Sequence, residues 1–155
     1  FKKKVFADTE QLQSFWQAFA MGDSEAVELV LNRTLSNSIS VFDAKGRDEE
    51  RENSYHMLLV GLLAGKADWL VRSNVEAGEG FADIIVETDD LDDGVIVELK
   101  YAQTMTAMEK SCAKALAQIR AKRYADYLHN NGREKVLLYG IAFCKKRCRV
   151  VAEKL

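Results

Sequence analysis

Apolar residues recur at helical spacing in some stretches of the chain and run together between turn signals in others, which separates helical from extended segments. Leu12, Phe15, Trp16 and Phe19 stand at helical spacing within residues 8–21, as do Val27, Val30 and Leu31 within residues 23–35. Gly22-Asp23 breaks the two helices apart, and Asp23 is suited to cap the second. A third helix is predicted over residues 48–65, where the row Glu52, His56, Leu59, Leu63 turns from polar to apolar as it advances. Residues 69–75, 81–88 and 94–101 then read as three consecutive strands, the last two of them apolar. They are joined by Ala77-Gly78-Glu79-Gly80 and by the acidic stretch 89–93, both suited to hairpins. A long helix is predicted over residues 106–130, with Met108, Cys112, Ala115, Leu116 and Ile119 toward the sheet and Asn131-Gly132 ending it. Residues 135–143 and 149–152 read as two further strands across a 145–147 tip. This order predicts an α/β (α+β) domain: a mixed sheet with helices on its faces, an N-terminal helical pair and room for a right-handed crossover.

Composition fits one compact soluble domain: 155 residues, 48% hydrophobic and 30% charged, with no proline, no repeat and no linker-like tract. The first residue is Phe1, so a piece of a longer protein is expected. No run is long enough to span a membrane and no signal segment opens the chain, so no membrane partner and a cytoplasmic location are expected. Three cysteines, Cys112, Cys144 and Cys148, fit free buried thiols in a reducing compartment. They lack the companion ligands of a structural zinc, and a Cys144–Cys148 disulfide requires the hairpin to bring the two within bonding distance.

Charge changes the picture only locally. A net charge of -2 does not announce a nucleic-acid binder. Acid collects in residues 48–52 and 87–93, base in the last third. Lys110, Lys114, Gln118 and Lys122 recur every four residues along the long helix, and Lys145-Lys146-Arg147 with Arg149 form a second basic cluster. These could flank a groove that tracks a nucleic-acid backbone, or be a solvated helix face and a charged hairpin tip.

The candidate chemistry lies on two neighbouring strands. Gly80-Phe81-Ala82-Asp83-Ile84-Ile85-Val86 carries one carboxylate, and Val95-Ile96-Val97-Glu98-Leu99-Lys100 carries a carboxylate and a lysine two residues apart. Alternation puts Glu98 and Lys100 with Ile96, and sends Val95, Val97 and Leu99 the other way into a core. Asp83 and Glu98 could hold Mg²⁺ against a phosphodiester, with Lys100 orienting water or neutralising developing charge. A solvated hairpin would produce the same alternation. His56 reads as a structural histidine, and the acidic 89–93 turn lacks the spacing of an EF-hand.

Taken in order, Glu52-Asn53-Ser54-Tyr55-His56 with Gly61-Leu62-Leu63-Ala64-Gly65, Ser73 through Gly80, Asp83, Glu98-Leu99-Lys100, Ala117-Gln118-Ile119 through Tyr124-Ala125, and Tyr139 through Phe143 resemble the PD-(D/E)XK nuclease superfamily. More closely, they resemble the C-terminal nuclease-like domain found behind an AAA-ATPase-like domain in many bacterial proteins. The resemblance implies a restriction-endonuclease-like core over residues 48–155, with residues 1–47 as a helical segment packed on it. It implies Mg²⁺, with Mn²⁺ as a substitute, held by Asp83, Glu98, the Leu99 carbonyl and Glu52. Lys100 would then hold the nucleophile or stabilise the transition state, and Gln118 with Tyr124 would position Lys100 or the substrate backbone. Lys110, Lys114, Lys122 and Tyr124 become nucleic-acid contacts, DNA being the first candidate. Implied partners are an AAA-ATPase-like domain in the same full-length chain and a second copy in a homodimer. One position departs: the family often has a basic residue where this chain has Phe81. Two function classes follow, a metal-dependent nuclease or a catalytically silent relative serving as a nucleic-acid-binding, regulatory or assembly module of an ATPase.

Overall fold

In the computed structural model, which describes residues 9–37 and 48–155, the two opening amphipathic stretches form α1 (Thr9–Met21) and α2 (Ser24–Asn37). Gly22 turns the chain between them at φ +79°, and Asp23 Oδ1 accepts from the Ala26 N–H at 3.2 Å, capping α2 as expected. Residues 1–8 and 38–47 of the expected N-terminal segment lie outside the described residues. Helix α3 (Asp48–Ala64) follows.

The strands are β1 (Leu70–Ala77), β2 (Gly80–Glu87), β3 (Asp93–Tyr101), β4 (Lys135–Cys144) and β5 (Arg147–Lys154). They form a five-stranded mixed sheet in sequential order. Every neighbouring pair is antiparallel except β3–β4, which are parallel in the register Glu98↔Gly140. The parallel pair exists because a long crossover joins it: a 3₁₀ turn (Met105–Ala107), α4 (Met108–Ala121) and α5 (Ala125–Asn130).

The single helix expected over residues 106–130 is therefore broken at Lys122-Arg123-Tyr124, where Arg123 adopts φ +56°. The cause is tertiary. The β1–β2 turn docks on the break, Glu79 N–H donating to the Lys122 carbonyl at 2.8 Å. A Cβ on Gly78 would lie 2.2 Å from that carbonyl oxygen, so only glycine admits this approach. At the far end Gly132 (φ +82°) stops α5, its N–H donating to the His129 carbonyl at 3.0 Å.

Helices cover both faces of the sheet, which is why Val95 through Leu99 is an unbroken buried run. Phe15, Phe19, Val27, Leu31, Tyr55 and Leu59 pack on Val95, Val97, Leu99, Tyr139 and Phe143 on one face. Leu116, Ile119, Tyr124 and Leu128 pack on Ile85, Ile96 and Leu138 on the other. The aromatic stripe of α1 is core, with Phe19 stacked on Tyr139 at 4.7 Å between centroids. Cys148 lies opposite Phe143 rather than Cys144, and all three cysteines are buried free thiols. No described helix is long and apolar enough to cross a membrane.

Candidate active site

Both ladders that hold β2 are interrupted at Asp83. β1 and β2 pair from Leu70↔Glu87 through Ser73↔Ile84 and resume at Val75↔Ala82, leaving out the position where Asn74 faces Asp83. Asn74 sits at φ +52°, a left-handed conformation that asparagine tolerates better than most side chains. The strand also changes face here. Ala82 joins the core under α4 and α5 while Ile84 joins the opposite core, although residues two apart on a regular strand share a face. Pairing of β2 with β3 stops at Ile84↔Val97, one position short of Asp83 and Glu98. Beyond that point Asp83 Oδ2 takes the Leu99 N–H at 2.8 Å, a carboxylate in the role of a strand carbonyl. A residue's N–H and C=O serve the same neighbour in an antiparallel ladder, so the Leu99 carbonyl belongs to this same open edge.

Gln118, half-buried on α4, ties the other side chains together. Lys100 Nζ donates to its Oε1 at 2.6 Å, and its Nε2 donates to Glu98 Oε1 and to the Tyr124 hydroxyl, each at 3.1 Å. Lysine only donates, so the amide oxygen must face Lys100 and the amide nitrogen must face Glu98 and Tyr124. Tyr124 is 2% exposed and held from behind, since a Cβ on Gly80 would come within 3.2 Å of its hydroxyl. The docked hairpin tip, the helix break and Tyr124 thereby fix the Gln118 amide, which in turn fixes Glu98 and Lys100.

Glu98 is the electrostatic centre. It is 3% exposed, and its Oε2 is buried with no hydrogen-bond partner. Desolvation first, then the neighbouring Asp83 carboxylate, push its carboxyl from the ordinary 4.5 up to about 9. Desolvation also raises the Tyr124 hydroxyl. An orphaned carboxylate oxygen beside a second carboxylate and an open backbone edge is a donor set that fits a hard cation. Mg²⁺ takes one or two carboxylates and keeps several waters, so two acidic side chains suffice. Among the described residues no group of three or more His, Cys, Asp and Glu side chains converges on a common point.

The remaining expected residues are placed as follows. Glu52 is half-buried on α3, the helix on the opposite face of the sheet from α4, and is not drawn into a three-carboxylate group. It occupies the same end of the sheet, where its neighbour Arg51 donates to the Tyr101 hydroxyl at 3.0 Å. His56 is buried, its Nε2 2.6 Å from Ser73 Oγ, and pins α3 to β1 beside the interruption. Lys110, Lys114 and Lys122 are exposed, the last just beyond the end of α4, while Gln118 alone of that row turns inward. Lys145 and Lys146 form the β4–β5 turn and Arg147 opens β5; the Tyr55 hydroxyl donates to the Lys145 carbonyl. Asn74, Gly78 and Glu79 were not singled out from the sequence as shaping the site. Their signals were an asparagine inside a strand and a glycine pair flanking a turn.

The sequence model of the PD-(D/E)XK nuclease superfamily matches residues 50–153. The chain belongs to that superfamily, whose members generally use divalent metals and whose substrates are nucleic acids. Among solved structures, the crystal structure of SSO0001 is similar over 70% of this chain at 18% identity and a TM-score of 0.38. The chain spans 52% of that protein's length. No curated protein matches it.

Proposed function

We propose that this chain hydrolyses nucleic-acid phosphodiester bonds, with Mg²⁺ as its metal, Mn²⁺ as a substitute and DNA as its substrate. The observation that carries the reading is the buried, unpartnered Glu98 Oε2 beside Asp83, at the point where β2 and β3 part. Asp83, Glu98 and the Leu99 carbonyl would hold the ion, with Glu52 acting through water. When bound, Mg²⁺ supplies a Lewis acid that lowers the pKa of water and offsets charge on the phosphate. Lys100 Nζ holds the attacking water or a phosphate oxygen, and Gln118 sets where that amine sits. Tyr124 keeps the amide from rotating, and Lys110, Lys114 and Lys122 follow the substrate backbone. By the resemblance alone, the proposal extends to an AAA-ATPase-like domain in the same full-length chain, to a homodimer for cutting both strands and to a cytoplasmic location.

A second reading has one observation in its favour: the Lys100 amine is engaged by Gln118, and among the described residues no third acidic ligand joins the pair. That describes a silent relative acting as a binding or assembly module. Cleavage of labelled linear, circular and single-stranded DNA and of RNA with Mg²⁺, Mn²⁺ or EDTA separates the two. Metal-dependent cutting that Asp83→Ala and Lys100→Ala both abolish supports the nuclease. No cutting by folded protein under any condition supports the module.

A further inference from the structure

Among the described residues every Phe, Tyr and Trp side chain but one is buried or half-buried. The exception is Phe81, 63% exposed, two residues before Asp83. Its exposure is built into the strand. Ala82 beside it is fully buried, so the alternation that tucks Ala82 under Tyr124 turns Phe81 outward. The backbone presenting the ring is firm: Phe81 is in the ladder opposite Glu76, and the adjoining turn is bonded to Lys122 through the Glu79 N–H. A phosphate is a poor occupant for this place, because Glu76 shares the face directly across the ladder and is itself exposed. A neutral aromatic surface is a good one.

We propose that Phe81 is a stacking platform for an unpaired nucleobase of the substrate, so that the site takes single-stranded or frayed nucleic acid. The inference rests on the nuclease reading for its substrate and adds the strand state. Phe81 precedes Asp83 by two strand residues, about 6.8 Å. Because Ala82 faces α4 and α5, the ring projects from the other face of the sheet, and a single strand with a phosphate at Asp83 reaches it by passing round the end where β2 and β3 part. Bases inside a duplex are stacked on one another and offer no face to the ring, whereas a base in a single strand does.

The test is fluorescence anisotropy in EDTA, where binding is read without cleavage, using labelled oligo-dT, oligo-U of equal length and a blunt DNA duplex. Phe81→Ala is expected to weaken single-strand binding about tenfold to a hundredfold, leaving the duplex unchanged. Phe81→Trp should keep the affinity, and its added emission, over that of Trp16 and Trp69, should be quenched when the oligonucleotide binds. A loss on either oligonucleotide supports stacking, and the responding arm identifies the sugar. Wild-type affinity in Phe81→Ala, an equal loss on all three probes, or unquenched Phe81→Trp overturns it. These readouts stand apart from cleavage: a protein that never cuts can pass them, and an active nuclease can fail them.

Discussion

Replacing Glu98 with Gln is expected to stabilise the metal-free protein, and to do so more strongly as pH rises. The native state holds the Glu98 carboxyl protonated up to about 9, whereas an unfolded chain releases that proton near 4.5. Because the folded form binds more protons, stability falls as pH climbs from about 4.5 toward 9, by roughly 1.4 kcal/mol per unit. At pH 7.5 the accumulated cost is about 4 kcal/mol, three units above the unfolded value. Glutamine does not titrate. It keeps an oxygen for the Gln118 Nε2 donor and, like the protonated acid, sets a neutral group beside the Asp83 carboxylate. Urea unfolding of both proteins at pH 5, 6, 7 and 8, in EDTA and constant salt, reads the effect as a difference in which other titrations cancel. The difference should be under about 1 kcal/mol at pH 5 and grow by about 1.4 kcal/mol per unit above it. A difference that stays flat across this range would refute the reasoning, since it would mean that Glu98 ionises as freely in the fold as outside it. A cation binding only the native wild type should recover about 2.7 kcal/mol at a hundredfold excess over its Kd. The variant should gain far less.

Two further outcomes follow from the supports of the site. Gln118→Ala frees Lys100 and Glu98 from each other; it should lower kcat about tenfold to a hundredfold with little change in KM, measured by steady-state cleavage, and Gln118→Glu should not rescue it. Gly78→Ala places a Cβ against the Lys122 and Arg123 carbonyls at φ +54°. It should cost about 2 kcal/mol or more, seen as a fall in Tm of at least about 4 °C in a thermal melt.

The fold was legible where burial imposes a period. Strands expected over residues 81–88 and 94–101 appear as Gly80–Glu87 and Asp93–Tyr101, because a sheet covered on both faces writes itself as a continuous apolar run. The division of Val95, Val97 and Leu99 from Ile96 was equally readable, as was the inward face of α4. The break at Lys122 to Tyr124 was not. Helical periodicity resumes at Tyr124, Ala125 and Leu128, and the force that opens the helix is a hairpin more than forty residues earlier in the chain. The change of face at Asp83 was hidden for a related reason. Periodicity assumes that alternation continues, and only Asn74, on another strand, hints that it does not. Local pattern thus locates the two carboxylates, while long-range contacts decide how they meet.

The most direct test of the account is calorimetric titration of Mn²⁺ into wild-type protein at pH 6.5 and 7.5, beside Asp83→Ala and Glu98→Gln. Saturable binding is expected that tightens about tenfold over that unit, because the ion must displace the Glu98 proton, and that either substitution abolishes. Affinity that ignores pH, or survives both substitutions, would contradict the claim that Asp83 and the buried Glu98 carboxylate make the metal site.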